Sequence, residues 1–142
     1  MASWLFKDFV ESSNLGGRAN VILEWTLSLP PAAQAKIDAI ILTLQGWDGP
    51  WPPQYVSARK DCPGILELRI GCKGVQYRPL GFHGPERGQF TLLIGAIEKG
   101  GKLEPREACS VAQSRRAIAS ADTKRTINHA FSADSDQSED GN

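Results

Sequence analysis

The chain is poor in the residues from which metal centres and disulfide scaffolds are built. Its 142 residues include three cysteines and two histidines. Cys62, Cys72 and Cys109 are odd in number and show no CxxC spacing, which argues against a disulfide framework or a zinc site and for a reducing compartment. With only His83 and His129 available, a histidine-rich metal centre is not supported, and neither metal nor cofactor is expected. No run approaches the roughly 18 apolar residues of a membrane span. The opening Met-Ala-Ser-Trp-Leu-Phe-Lys-Asp has no basic region followed by a long apolar stretch, so no secretory signal is expected. A cytoplasmic location follows as the expectation. Phosphate loop, dinucleotide fingerprint, HExxH and GxSxG are all missing, which removes the common motif-bearing enzymes.

What is present is an ordinary globular balance, with 41% apolar and 23% charged residues. The length suits one domain with its own core. Sixteen basic and sixteen acidic residues cancel, but unevenly. Residues 1–58 carry three positive and five negative charges, residues 59–125 thirteen and seven, and residues 126–142 none and four. A block of +6 therefore sits between segments of −2 and −4. Local potential decides whether a polyanion binds, although such a block is also what a solvated helix and its loops present.

The pattern reads β-α-α-β-β-β-α, an α+β arrangement with a small, antiparallel-rich sheet. Residues 3–10 suit a first strand, and Asn14-Leu-Gly-Gly17 breaks it. Val21, Ile22, Trp25 and Leu29 set a helix over 18–29, and Ile37, Ile40, Ile41 and Leu44 a second over 31–45. Pro30-Pro31 separates the two. Gln45–Pro53 is a loop whose Trp47 and Trp51 suit lids over the core edge. Ile65–Ile70 alternates as a strand, Gly71–Gly74 turns, and Val75–Phe82 returns. His83–Gly88 is another turn. Gln89–Ile97 is the most apolar strand and suits the middle of the sheet. A third helix over 105–119 follows, with a stripe of Ala108, Val111, Ala112 and Ile118. The domain closes at residue 120, and residues 121–142 read as a disordered acidic tail. That tail either competes with a polyanion for the basic block or serves solubility.

A hairpin closing over Gly71–Gly74 sets Ile70 opposite Val75, Arg69 opposite Gln76 and Glu67 opposite Arg78. Alternation then places Glu67, Arg69, Gln76 and Arg78 on one face, away from Leu66, Leu68, Val75 and Tyr77. Lys99, just past the third strand, reaches the same edge. Guanidinium forks match phosphate oxygens, and fixed positive charge stabilises the charge that builds in phosphoryl transfer. The plainer alternative is a Glu67–Arg78 cross-strand salt bridge with Arg69 exposed, His83 in a turn and Tyr77 in the core.

These pieces carry a resemblance. Residues 54–117, with Leu66-Glu-Leu-Arg69, Val75-Gln-Tyr-Arg78, the apolar strand running into Glu98-Lys99, and Glu104-Pro105 ahead of a helix with Arg115-Arg116, are similar to the HigB-like branch of the RelE superfamily. Together with the two preceding helices the likeness covers about 110 residues. It implies phage-derived toxins of type II toxin–antitoxin systems, which cleave mRNA without a metal, usually on the ribosome, and are held inactive by a cognate antitoxin. Carried over by position, Arg69, Arg78 and Lys99 would be catalytic, with Lys60 and Lys73 tracking the RNA. The chain departs from the family in its third helix, which offers no His or Tyr as acid or base. Only His129 lies beyond it, and Glu98-Lys99-Gly100 replaces the paired lysines common there. A binding module that no longer cleaves, and an assembly factor using the sheet edge and the Trp-rich loop, are the competing classes.

Overall fold

The computed structural model of the chain describes residues 3–12 and 16–134. The architecture is α+β. Strand β1 (Leu5–Ser12) leads through the short β2 (Arg18–Asn20) into helices α1 (Val21–Leu27) and α2 (Pro31–Gln45). Seven strands follow: β3 (Val56–Ala58), β4 (Leu66–Leu68), β5 (Ile70–Cys72), β6 (Val75–Tyr77), β7 (Leu80–His83), β8 (Gln89–Ile94) and β9 (Ile97–Lys99). Then come β10 (Lys102–Glu104), α3 (Ala108–Ala121), a 3-10 turn at Thr123–Arg125 and β11 (Thr126–Asn128).

The larger sheet runs β11-β1-β8-β7-β4-β3, with β2 hydrogen-bonded to β1. β8 pairs parallel with β1 and antiparallel with β7, and the apolar Gln89–Ile97 segment thus begins inside the sheet. Its faces are sorted by alternation. Leu92 points with Phe6, Phe90 and Leu68 towards Ile22, Ile37 and Ile41 of α1 and α2. Leu93 points with Phe9, Leu80 and Phe82 towards Ala108, Ala112 and Ala119 of α3. A sheet covered on both sides by helices needs apolar residues on both.

The smaller sheet, β10-β9-β6-β5, continues the larger one. β4 and β5 pair with β7 and β6 in a single register, Leu66↔Gly81, Glu67↔Leu80, Ile70↔Tyr77 and Cys72↔Val75. The ladder is interrupted only at Arg69 and Arg78, whose N–H groups turn away to the Tyr55 and Ala96 carbonyls, each at 2.8 Å. β8 and β9 break at the neighbouring Gly95-Ala96. Three long strands therefore bend together from one sheet into the other. Gly95 is required there, because a Cβ would stand 1.9 Å from the Trp25 ring. Gly95→Ala is expected to cost about 1–3 kcal/mol by overpacking. Gly46→Ala, which meets only the Leu42 carbonyl at 4.0 Å, should stay within about 0.5 kcal/mol. Urea midpoints of the two variants check this.

Four sequence expectations are corrected. The turn is the two-residue Lys73-Gly74, both at positive φ (50° and 82°), and not Gly71–Gly74. The register consequently moves by two residues, a step that leaves every side chain on its expected face. The segment 18–20 is a strand, and α1 starts only at Val21, where the Asn20 side chain accepts from the N–H groups of Ile22 and Leu23.

Cys62 and Cys109 form a disulfide, with a Cα–Cα distance of 5.6 Å. Spacing could not show it, because the bond depends on the loop after β3 lying against the start of α3. It also removes the cysteine argument for a reducing compartment, leaving Cys72 as the free thiol.

The segment after residue 120 is not a tail at its start. β11 pairs with β1 through Lys7↔Asn128 and Phe9↔Thr126. The buried Asp8 carboxylate lies 2.6 Å from His129 Nδ1 and accepts from the Ala130 N–H. Asp38 on α2 accepts from the Ser132 hydroxyl at 2.7 Å. Composition missed this because two buried carboxylates elsewhere in the chain require these polar partners. The packed domain therefore reaches at least Asp134, and residues 135–142, with the remainder of the acidic-tail expectation, lie outside the described residues. No helix among the described residues is long and apolar enough to cross a membrane.

Candidate functional site

The bend between the sheets gathers the charged residues of the central hairpin. Glu67, Arg69, Gln76 and Arg78 share one face, as alternation requires, but that face is not an open cationic surface. Glu67 and Arg78 are each 3% exposed. Glu67 is met by Arg59, a loop residue outside the alternating face, which forms the hub of the network. Its Nε donates to Asp61 at 3.0 Å, and its Nη1 donates to Glu67 at 2.8 Å and to Glu98 at 2.9 Å. No periodicity marks Arg59, since it stands in the loop after β3 and acts across the sheet. The only trace of it in the sequence is Glu67, an acid in the middle of an apolar strand that must find a cation when buried.

Arg69 closes the other side, donating from Nη1 to Glu67 Oε2 at 3.0 Å. Its side chain is 43% exposed, which makes it the cation of the network most open to solvent. Arg78 lies behind it. Its Nη1 donates to the Tyr77 carbonyl and its Nη2 to Gln76 Oε1. Its buried Nε has no hydrogen-bond partner among the described residues, with Glu98 at 3.6 Å and Glu67 at 3.9 Å as its nearest acids there. Burial pulls the Arg78 guanidinium below its usual value, while Glu67 and Glu98 oppose that pull. Arg59 shifts the other way. The Asp61 hydrogen bond first, and those to Glu67 and Glu98 after it, hold its proton more firmly than in a free arginine. Asp61 in turn is held below the usual carboxylate range by Arg59.

Three guanidinium groups thus face three carboxylates, and the local charge is balanced. Chemically, the accessible parts are Arg69 and two carboxylates, Asp61 and Glu98, 68% and 26% exposed by their side chains. They are a cation able to meet a phosphate, held by Glu67, and carboxylates able to accept a proton, held by Arg59.

The other expected site residues stand apart. Gln76 pairs with Glu98, so alternation along β9 turns Lys99 to the opposite face, where it lies 3.5 Å from Glu104 with both side chains more than half exposed. Lys99 does not join Arg69 and Arg78. Lys60 is exposed in the loop beside Arg59, and Lys73 is exposed at the hairpin tip. His129 is excluded as an acid or base for the bend, because β11 and β4 are separated by β1, β8 and β7. His83 ends β7 with its ring 4.9 Å from Trp4 and 5.3 Å from Trp51, and this enclosure lowers its pKa below the usual 6.5. Tyr77 lies in the core. Among the described residues, no group of three His, Cys, Asp or Glu side chains is placed to hold a metal ion. Comparison of the chain with family models, with curated proteins and with solved structures finds no match in any of the three.

Proposed function

We propose that the chain is a metal-independent endoribonuclease acting on mRNA, the toxin of a type II toxin–antitoxin pair of the RelE/HigB kind. The observation that supports this reading most is that a half-exposed Arg69 and a partly exposed Glu98 belong to one ion-pair network, joined through Glu67 and Arg59 in front of the buried Arg78. Cleavage without a metal needs a cation at the phosphate and a proton acceptor at the 2′-OH, both held rigidly. In this reading the 2′-oxygen attacks the adjacent phosphorus and Glu98 takes its proton. The bond to the 5′-oxygen breaks, and that oxygen takes a proton from water. The products are a 2′,3′-cyclic phosphate and a 5′-hydroxyl. Arg69 neutralises the phosphate, and Arg78 acts through the field it adds, being too deep to touch RNA. Lys60, Lys73 and Lys99 carry backbone phosphates in a salt-dependent way. A cognate antitoxin and a cytoplasmic location, where mRNA is met, belong to the same reading.

One observation favours a second reading, RNA binding without cleavage: every arginine of the bend already has a carboxylate within 4 Å. A translation reaction with purified ribosomes and one mRNA, with new 5′ ends mapped by primer extension, separates the two. Cleavage predicts new ends that fall about 100-fold in yield with Arg69→Ala, the scale on which a single transition-state donor acts. Absence of new ends from folded protein would leave binding as the function.

A further inference from the structure

A second feature lies beside the bend and is not used by the cleavage chemistry. Two cavities, of about 310 Å³ and 250 Å³, share Ala58, Leu66 and His83 in their linings and so form one groove across the ends of β3, β4 and β7. At one end three aromatic rings meet. Trp4 and Trp51 are 5.0 Å apart by ring centroid, and His83 completes the triangle with both. The platform is rigid. Trp51 stacks on Phe6 at 5.5 Å and donates from Nε1 to the Leu44 carbonyl at 3.0 Å.

At the other end stands Arg116, its guanidinium 5.1 Å from the Phe82 ring centre and its Nη1 bonded to the Gly64 carbonyl. The rest of its fork has no hydrogen-bond partner among the described residues. Among the described residues, neither lining contains a carboxylate, in contrast to the balanced bend. Ser57 lines the groove and donates to Glu67 Oε2 at 3.5 Å, so one side chain joins groove and bend.

Aromatic faces, an apolar floor and an unopposed guanidinium are what unstacked nucleotides require, since every base offers a π-face and every linkage a phosphate. Resting on the RNA reading above, we infer that this groove is a single-stranded RNA subsite. Bases lie against Trp4, Trp51 and His83, and a backbone phosphate meets Arg116. Desolvation beside the two indoles lowers the His83 pKa and so favours the neutral ring, a stacking surface rather than a charged contact.

The test is fluorescence anisotropy of a labelled octa-adenylate RNA with the full chain, alongside an abasic octamer of the same charge. Stacking worth about 1–3 kcal/mol per base corresponds to a loss of roughly 5- to 150-fold. His83→Ala is expected to weaken the octa-adenylate within that range, and His83→Phe to restore it. Arg116→Gln should weaken both oligomers and flatten the salt dependence. Circular dichroism on each variant confirms that it is folded. Equal binding of the abasic and adenylate oligomers, or wild-type affinity in folded His83→Ala and Arg116→Gln, would overturn the subsite even if Arg69→Ala weakens RNA. Octa-adenylate that binds through the groove in a protein that cuts no mRNA would overturn cleavage and keep the subsite. No binding of either oligomer overturns the subsite outright.

Discussion

Arg59→Ala is expected to be among the most damaging single substitutions in the domain, lowering stability by about 3–5 kcal/mol. The substitution removes the hydrogen bonds to Glu67 and Glu98 at once and leaves the 3%-exposed Glu67 with Arg69 as its remaining hydrogen-bonded cation. A buried carboxylate stripped of its main partner bears its full desolvation cost. Arg78→Met is the informative contrast. Arg78 is more deeply buried than Arg59, but it makes no hydrogen bond to either acid, and its Nε has no partner among the described residues. Replacing such a cation with an apolar side chain of similar length should change stability by no more than about 1 kcal/mol. Urea unfolding of both variants checks the pair. A large loss in Arg78→Met would make that arginine a structural partner of Glu67 on the same footing as Arg59. A stable Arg78→Met protein that no longer produces new mRNA ends would mean that the buried charge is there for the chemistry and not for the fold.

Reduction of the Cys62–Cys109 bond should cost the domain about 4 kcal/mol in the chain-entropy treatment of a closed loop of this size, the two cysteines being 47 residues apart. The cost has a local side as well. Cys62 follows Asp61, which holds Arg59, and the disulfide anchors that stretch of chain to the first turn of α3. Opening it loosens the segment that covers Glu67. The urea midpoint is therefore expected to fall on adding a reductant, and Cys62→Ser with Cys109→Ser should reproduce the fall without one. An unchanged midpoint under reductant would show that packing of the loop on α3 holds the segment without the bond. Because the fall is a large part of the stability of a domain this size, the redox state of the compartment bears directly on how rigid the bend is.

How much was legible from sequence differs between elements for physical reasons. α2 was readable end to end, because Pro31 opens it and Ile37, Ile41 and Leu44 bury one stripe at helical spacing. The shared face of Glu67, Arg69, Gln76 and Arg78 was readable although the register was not, since a two-residue slip preserves alternation. The turn itself was misplaced because Gly71 resembles a turn residue, whereas the Gln76 side chain packs over it in the strand. Periodicity extends α1 back to Arg18, but Arg18–Asn20 pairs with β1, a non-local contact that local periodicity does not carry. Lys99 does not reach the edge that chain order alone gives it, because the exact pairing of β9 with β6 sets its direction, and that pairing depends on the bulge between β7 and β8.

By itself the sequence determined the α+β class, the positions of the main helices and strands, and which residues of the central hairpin share a face. Those are consequences of periodicity and turn chemistry, which act over a few residues. Tertiary structure alone decided that Glu67 and Arg78 of that face are buried in a balanced ion network, that Arg59 is its hub, that Cys62 meets Cys109, and that Thr126–Asn128 completes the sheet. Each of these joins segments far apart in the chain. A buried charge is partnered by whatever the fold brings within a few ångströms, and spacing along the chain does not encode that distance.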